Sequence, residues 1–185
     1  MRMAICFMAM VLFSGMGTVT AKATTADGNP YGNPLDLYGS KIEFEVFRDG
    51  EKVGKHIVRF KELSLGKFEV TARLDLQITF LKIPVYDYAY FSKALWKKGR
   101  LIGLTVSIDD DGEKSSIHAS TQRGALVVVG PKGKSIVPNA IFPTNHWNAA
   151  VLRENQVLNT LSGETSQVKI TKRPTEKIRA EGRCV

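Results

Sequence analysis

Cysteine is scarce in this sequence. Only Cys6 and Cys184 occur among its 185 residues, and Cys6 lies in a leader that we expect to be removed on export. No disulfide can then form within the mature chain, so its stability must come from packing. Cys184 is the penultimate residue of a polar tail, a context that offers neither a general base nor a sheltered pocket for a nucleophile.

Long hydrophobic runs are also missing. The apolar run at residues 3–13 is well short of the roughly 18 residues that favour a membrane span. It follows Met1 and Arg2 and precedes small residues that end at Ala23, which is the pattern of a secretory signal peptide cleaved after Ala23. We therefore expect a signal peptide over 1–23 and a periplasmic or secreted protein with no transmembrane segment after cleavage.

Acidic residues are few towards the end of the chain. The whole sequence carries a formal net charge of +8, and loss of Arg2 and Lys22 with the leader lowers this by two, to +6. Because the basic stretch near the end holds no aromatic residues that stack on bases, we expect no nucleic acid partner. A solvated basic face is the simpler interpretation, and a surface for anionic lipid headgroups or polyanions is the alternative.

Motifs for catalysis and metal binding are absent as well. No Gly-x-Ser-x-Gly elbow occurs, and residues 130–135, which read Gly-Pro-Lys-Gly-Lys-Ser, lack the first glycine of a phosphate-binding loop and fit a hairpin turn. The acidic run at 109–113 fits a solvated turn better than a loose oxygen-rich metal site. The three histidines lack the spacing of a metal site. We expect no catalytic residues, no metal, no cofactor and no enzymatic activity.

What the sequence does contain is long alternation of apolar and polar residues. A Gly- and Pro-rich stretch at 24–40 predicts a flexible leader. The alternation that follows predicts one all-β domain over 41–185, built as a strongly curved antiparallel meander sheet or incomplete barrel. One short helix is predicted at 145–153, with Thr144 as its N-cap. The predicted strands and hairpins lie at 42–47, 53–60, 68–80, 84–96, 101–108, 115–121, 125–129, 157–160, 167–171 and 177–180.

An aromatic stripe is the feature most suggestive of function. Tyr86, Tyr88, Tyr90 and Trp96 are all at even positions of one predicted strand, so their side chains share a face. Core packing is the commoner role of such a stripe, and a ligand groove is the functional alternative. Trp147, at the predicted helix, either plugs one end of the sheet or touches the same ligand.

Several segments of the sequence together resemble a known family, at 49–56, 83–88, 95–101, 110–112, 143–148 and 161–163. The sequence is similar to the exported bacterial proteins of domain of unknown function family 6134, which have no assigned activity. That resemblance implies an exported antiparallel β-rich domain, distantly like the carriers that bind acyl chains of lipoproteins. Family members usually continue past the Cys184 region with a further strand pair, so the resemblance also implies a C-terminus that is either truncated or diverged relative to the family.

Three function classes follow from these patterns. The leading hypothesis is a periplasmic protein that binds an apolar or lipid-like small molecule in a concave aromatic groove. The alternative is a structural or protein-interaction module of the cell envelope, whose edge strand pairs with an envelope protein. A hydrolase would require residues such as His118, Asp87 and Asp111 to converge. The expected ligand-binding residues are Tyr86, Tyr88, Tyr90, Trp96 and Trp147.

Overall fold

The computed structural model describes residues 33–138, 140–144, 147–171, 179–180 and 183–184. The predicted signal peptide and most of the predicted leader lie outside these residues. The main element is one sheet of eight antiparallel strands in sequential order, which confirms the predicted all-β meander. Its strands are β1 (Lys41–Arg48), β2 (Glu51–Ser64), β3 (Lys67–Phe80), β4 (Ile83–Lys97), β5 (Arg100–Asp110), β6 (Glu113–Gln122), β7 (Ala125–Gly130) and β8 (Gly133–Pro138).

The sheet stays open, because β1 and β8 stand at opposite ends of the strand order. Tight turns set its register. Five two-residue turns place both central residues at positive φ, the geometry of type I′ hairpins. Four of these turns have glycine second, and the fifth has none. They are Asp49-Gly50, Lys98-Gly99, Asp111-Gly112, Arg123-Gly124 and Leu81-Lys82.

One face of the sheet, hereafter the inner face, carries the hydrophobic core. On β4, Ser92, Ala94 and Trp96 are buried whereas Phe91 and Lys93 are exposed. The same alternation holds on β3, where it confirms the predicted core face. The buried part of that face ends before Phe80, which is 66% exposed. Register shifts in four strand pairs, β1 with β2, β2 with β3, β3 with β4 and β4 with β5, mark bulges of the kind that bend strands.

After β8 the chain forms a second, three-stranded sheet. Its strands are β9 (Phe142–Pro143), β10 (Gln156–Leu158) and β11 (Thr165–Gln167). Strand β10 pairs parallel to β9 and antiparallel to β11, so the hairpin predicted in this region is present, with its second strand starting two residues earlier than expected. Ile141 and Leu158 belong to the core cluster formed with the large sheet.

The predicted helix at 145–153 differs from the structure. A 3-10 helix spans Ala149–Arg153, and its N-cap is Asn148, whose Oδ1 accepts a hydrogen bond from the Ala150 N–H at 3.0 Å. Thr144 is not the cap, because its hydroxyl accepts from the Thr160 backbone N–H at 3.2 Å and contacts the Thr160 hydroxyl. The Thr144 hydroxyl is therefore engaged with the segment after β10. Residues 145 and 146 lie outside the described residues.

A short helix also ends the predicted leader. Helix α1 (Pro34–Tyr38) begins after the N-cap Asn33 and ends at Gly39, which has a φ of 68°. Proline at the first helical position and glycine just past the end are the usual boundary residues of a helix. The proline and glycine that predicted a flexible stretch therefore delimit a helix here. The ring of Tyr38 stacks on Phe60 with centroids 5.7 Å apart.

Near the C-terminus, β12 (Arg179–Ala180) and β13 (Arg183–Cys184) form a two-stranded antiparallel sheet of their own. This pairing agrees with the hairpin predicted to begin at 177, although 177 and 178 lie outside the described residues. Among the described residues, no helix is long and apolar enough to cross a membrane.

Candidate functional site

Trp96 lies at the closed end of the inner face. It pairs with Phe68 on β3 and with Leu101 on β5, and only 2% of its surface is exposed. The rings of Phe142 and Trp147 pack on it with centroid distances of 5.6 and 5.3 Å. The indole Nε1 of Trp96 is buried and has no hydrogen-bond partner among the described residues. Trp96 is thus a core residue.

Trp147 completes this end of the core. Its ring meets Phe60 edge-on at 5.5 Å, and its carbonyl accepts a hydrogen bond from the Tyr38 hydroxyl at 2.8 Å. Burial raises the pKa of Tyr38, so this hydroxyl remains a donor at neutral pH. Hereafter the five rings are the aromatic cluster: Tyr38, Phe60, Trp96, Phe142 and Trp147. Helix α1 and the segment around Trp147 therefore cover one end of the inner face.

The other end of the inner face is only half buried. Moving along β4 away from Trp96, Tyr90, Tyr88 and Tyr86 are each partly exposed. Strand register surrounds them with apolar neighbours, because Tyr90 pairs with Leu74 and Tyr86 with Ile78. Hereafter the floor is this set of inner-face side chains, all partly exposed except the buried Leu76: Phe44, His56, Leu74, Leu76, Ile78, Tyr86, Tyr88 and Tyr90.

The floor also holds polar groups at one side. The Tyr86 hydroxyl donates to Asp110 Oδ1 at 2.6 Å. Burial, followed by this hydrogen bond, raises the pKa of Tyr86. Burial, together with the nearby Tyr90 and Asp110, raises the pKa of Tyr88 to about 12. Both phenols are therefore neutral at physiological pH, so the tyrosines present uncharged rings with hydroxyl groups at their edges.

An acidic cleft lies at the same end of the sheet. It has a volume of about 710 Å³, and its lining includes Asp75, Asp87, Asp109 and Asp111. These aspartates are at odd positions, which alternate with the core-facing residues of the same strands. No group of three or more His, Cys, Asp or Glu residues is arranged to hold a metal ion within the described ranges.

The residues named for a hydrolase are not all together. The Asp111 backbone N–H donates to the Asp87 carbonyl at 2.8 Å, so these two residues are adjacent. His118 pairs with Thr105 on β5, six residues along from Asp111 and therefore about 20 Å away at the rise of a β-strand. The structure brings the two aspartates together and leaves His118 apart from them.

Comparison with known proteins gives the family but no activity. The model of a domain of unknown function, DUF6134, matches residues 44–185. The chain belongs to the DUF6134 family. The matched part begins within β1 and includes the whole floor, so the resemblance found from sequence segments is confirmed. No curated protein and no solved structure matches the chain.

The sequence patterns left several residues of this region unassigned. Tyr38 was placed in the leader, and Phe60 and Phe142 were not connected with Trp96, because ring contacts between distant segments have no local signal. Phe44, Leu74 and Ile78 had the correct alternation to face inwards. Only the strand register, however, places them beside the tyrosines.

Proposed function

We propose that this DUF6134 protein is an exported, non-enzymatic protein that binds an apolar, lipid-like ligand on the floor. The observation that carries the proposal is the half-open state of Tyr86, Tyr88 and Tyr90 on the face whose other end is a closed core. Proteins rarely leave contiguous apolar surface open without a ligand or partner to cover it. Apolar surface with a few polar groups is also typical of small-molecule sites.

The floor suits an extended chain. The three tyrosines occupy alternate positions of β4, so their rings extend over about 13 Å at roughly 3.3 Å per residue. Leu74 and Ile78 on β3 widen this strip. We assign ligand contact to the tyrosines and the support of the floor to Trp96 and Trp147, because both tryptophans are engaged in the aromatic cluster.

Polar recognition is assigned to the edge of the floor. The hydrogen-bonded pair of Tyr86 and Asp110 offers a hydroxyl oxygen and a carboxylate oxygen to a donor group on the ligand. The phenols remain uncharged at neutral pH because their pKa values are raised. An apolar chain can then cover the rings without burying a charge.

The test is a titration of the purified protein with a long-chain alcohol that carries a fluorescent tail, because its hydroxyl can donate to the acceptors at Tyr86 and Asp110. Tyr90→Ser removes one ring from the floor and is expected to weaken binding about tenfold or more, because burial of a large apolar side chain is worth roughly 1.5–3 kcal/mol. The matched control is Phe91→Ser, since Phe91 is the next residue of β4, points to the opposite face and is 42% exposed. Equal effects of both changes, or no binding together with lipid-free protein by mass spectrometry, would overturn the proposal.

A second function is favoured by the edges of the large sheet. Strands β1 and β8 each have a single neighbour among the described strands, and free edges can accept a strand from another protein. An envelope interaction module would use such an edge. A photo-crosslinker at Glu45 on β1 should then capture one reproducible envelope protein, whereas the same crosslinker at Lys93 on the central strand β4 should not.

A further inference from the structure

The β3–β4 hairpin stays paired beyond the points where its pairing with β2 and with β5 stops. Pairing of β2 with β3 stops at Gly54 and Leu76, and pairing of β4 with β5 begins only at Tyr88 and Asp110. Strands β3 and β4 remain paired with each other as far as Phe80 and Ile83. Residues 77–87, hereafter the arm, therefore form a two-stranded ribbon that continues about 13 Å past the adjacent pairing, at roughly 3.3 Å per residue. Beyond Gly54, β2 continues to Glu51 with β1 as its paired strand.

The tip of the arm is apolar and exposed. Phe80 is 66% exposed, Leu81 80%, Ile83 64% and Val85 53%. Lys82 is the one charged residue between 77 and 86. Four large apolar side chains at the end of this hairpin form a patch of the kind that marks an interaction surface.

The turn at the tip is conformationally unfavourable. Leu81 and Lys82 have φ values of 52° and 67°, in the left-handed region that costs a residue other than glycine on the order of 1 kcal/mol or more. The four other type I′ turns of this sheet pair a charged residue with glycine. The turn of the arm has an exposed leucine and a lysine where the other four turns have a charged residue and glycine. The need to form a hairpin therefore does not explain why these two residues occur in the turn.

We propose that the arm inserts its tip into the surface of a lipid bilayer. Phe80, Leu81 and Ile83 are large enough to enter the boundary between headgroups and acyl chains, while Lys82 can extend its amine back to the phosphates. Only the tip enters, because the outer edges of the two-stranded ribbon carry backbone N–H and C=O groups that need water or another strand as a hydrogen-bond partner. This limits penetration to the residues around the turn.

Charge near the tip favours an anionic membrane. Lys82 attracts lipid phosphates, and no acidic residue occurs between 77 and 86. The neighbouring β1–β2 hairpin carries two basic and two acidic residues at its turn, Arg48, Lys52, Asp49 and Glu51, so its charges balance. The acidic turn of the β5–β6 hairpin lies beside Asp87 on β4, because the Asp111 backbone N–H donates to the Asp87 carbonyl. That turn is about 13 Å behind Ile83, which exceeds the Debye length of roughly 8 Å at physiological salt. Its negative charge is therefore largely screened at the tip.

The apolar surface of the tip is continuous with the floor. Cross-strand partners run from Leu74 with Tyr90, through Leu76 with Tyr88, to Ile78 with Tyr86. Beyond a register shift between Ile78 and Thr79, Phe80 pairs with Ile83. Cross-strand partners share a face, so one apolar row of about 20 Å joins the floor to the tip. Provided that the proposed function holds, the arm gives a lipid a path from bilayer to floor, whereas docking of the tip itself does not depend on ligand binding.

The test is co-sedimentation of the purified protein with vesicles of phosphatidylcholine and phosphatidylglycerol in equal parts. The arm variant Leu81→Asn with Lys82→Gly supplies the residues that a type I′ turn prefers, so it should fold at least as well as the parent. It is expected to bind the vesicles at least tenfold more weakly. The matched control is Leu65→Asn, which changes a leucine that is 84% exposed at the opposite end of the sheet and should leave vesicle binding unchanged.

Two results would overturn the proposal. One is vesicle binding that is absent in the parent protein or equal in the parent and the arm variant. The other is a crosslinker at Leu81 that captures a protein while vesicles are not bound, which would assign the tip to a protein partner. Titration with the fluorescent alcohol separates this test from that of the floor, because the arm variant should still bind the alcohol in solution whereas Tyr90→Ser should lose it.

Discussion

The phenol of Tyr88 is kept protonated by its position in the floor. Burial is the main cause, and the nearby Tyr90 and Asp110 add to it, which together raise the pKa to about 12 from an ordinary value of 10.0. Burial also raises the pKa of Tyr86, with a further contribution from the hydrogen bond to Asp110. The folded protein therefore holds these protons more tightly than the unfolded chain does.

This difference predicts a loss of stability at alkaline pH. A pKa raised by folding contributes stability that is fully present below the unfolded value and is lost as pH rises through the folded value. The free energy of unfolding should fall between about pH 10 and about pH 12, and Tyr88→Phe should reduce that fall. Urea denaturation at a series of pH values measures it, with tyrosinate absorbance of the folded and urea-unfolded protein as the internal reference. An unchanged pH dependence in Tyr88→Phe would contradict the prediction.

The alternation of residues along a strand predicts one part of the candidate site from sequence, namely which side chains share a face. Even positions put Tyr86, Tyr88, Tyr90 and Trp96 on one face, and all four do face inwards. The same alternation does not predict that Trp96 is buried whereas Tyr86 is partly exposed. That division depends on Trp147 and Phe142, which approach from a segment some fifty residues away.

Pairing of β2 with β3 depends on close approach at Gly54. A Cβ at this position would collide with the Asp75 carbonyl oxygen and would lie 2.8 Å from Leu76 Cδ2. Gly54 is also the last β2 residue that pairs with β3 before the arm begins. A side chain here would push the two strands apart where the floor and the arm meet.

Gly54→Ala is therefore expected to destabilise the protein by about 1–3 kcal/mol or more, the range for overpacked sites. Gly103→Ala is the control, because Gly103 also lies within a strand and the nearest atom to its added Cβ would be 3.6 Å away, in ordinary contact. Urea midpoints of both variants measure the difference. Similar midpoints for the two would show that the approach at Gly54 is not restrictive.

Strands and turns were the elements best predicted from sequence, because alternation and X-Gly turns are local signals. The 3-10 helix was placed too early, since Thr144 and Asn148 are both good N-cap residues and the choice is settled by the Thr160 contact. Helix α1 was missed because proline and glycine mark helix ends as well as loops. The parallel pairing of β9 with β10 joins segments separated by the 3-10 helix, so no local pattern predicts it.

At the scale of the whole molecule, the chain after β8 closes one end of the inner face. Trp147 is the central contact, because its ring touches Phe60 and Trp96 and its carbonyl accepts from Tyr38. These partners lie on α1, β2 and β4. Trp147 therefore connects the segment after β8 with α1, β2 and β4. The floor residues on the same face make none of these contacts.

Trp147→Ala should therefore lower the free energy of unfolding by at most about 3–5 kcal/mol, the usual cost of truncating a fully buried large aromatic, because Trp147 is only partly buried. Trp147→Phe should lose less because a ring is retained. The sequence has two tryptophans, so either change leaves Trp96 as the one indole emitter. In Trp147→Ala its emission should shift to longer wavelength as water enters, and in Trp147→Phe it should stay close to that of a buried indole. Equal stability and unchanged emission in both variants would mean that the segment after β8 is held by other contacts. The core would then not depend on the aromatic cluster.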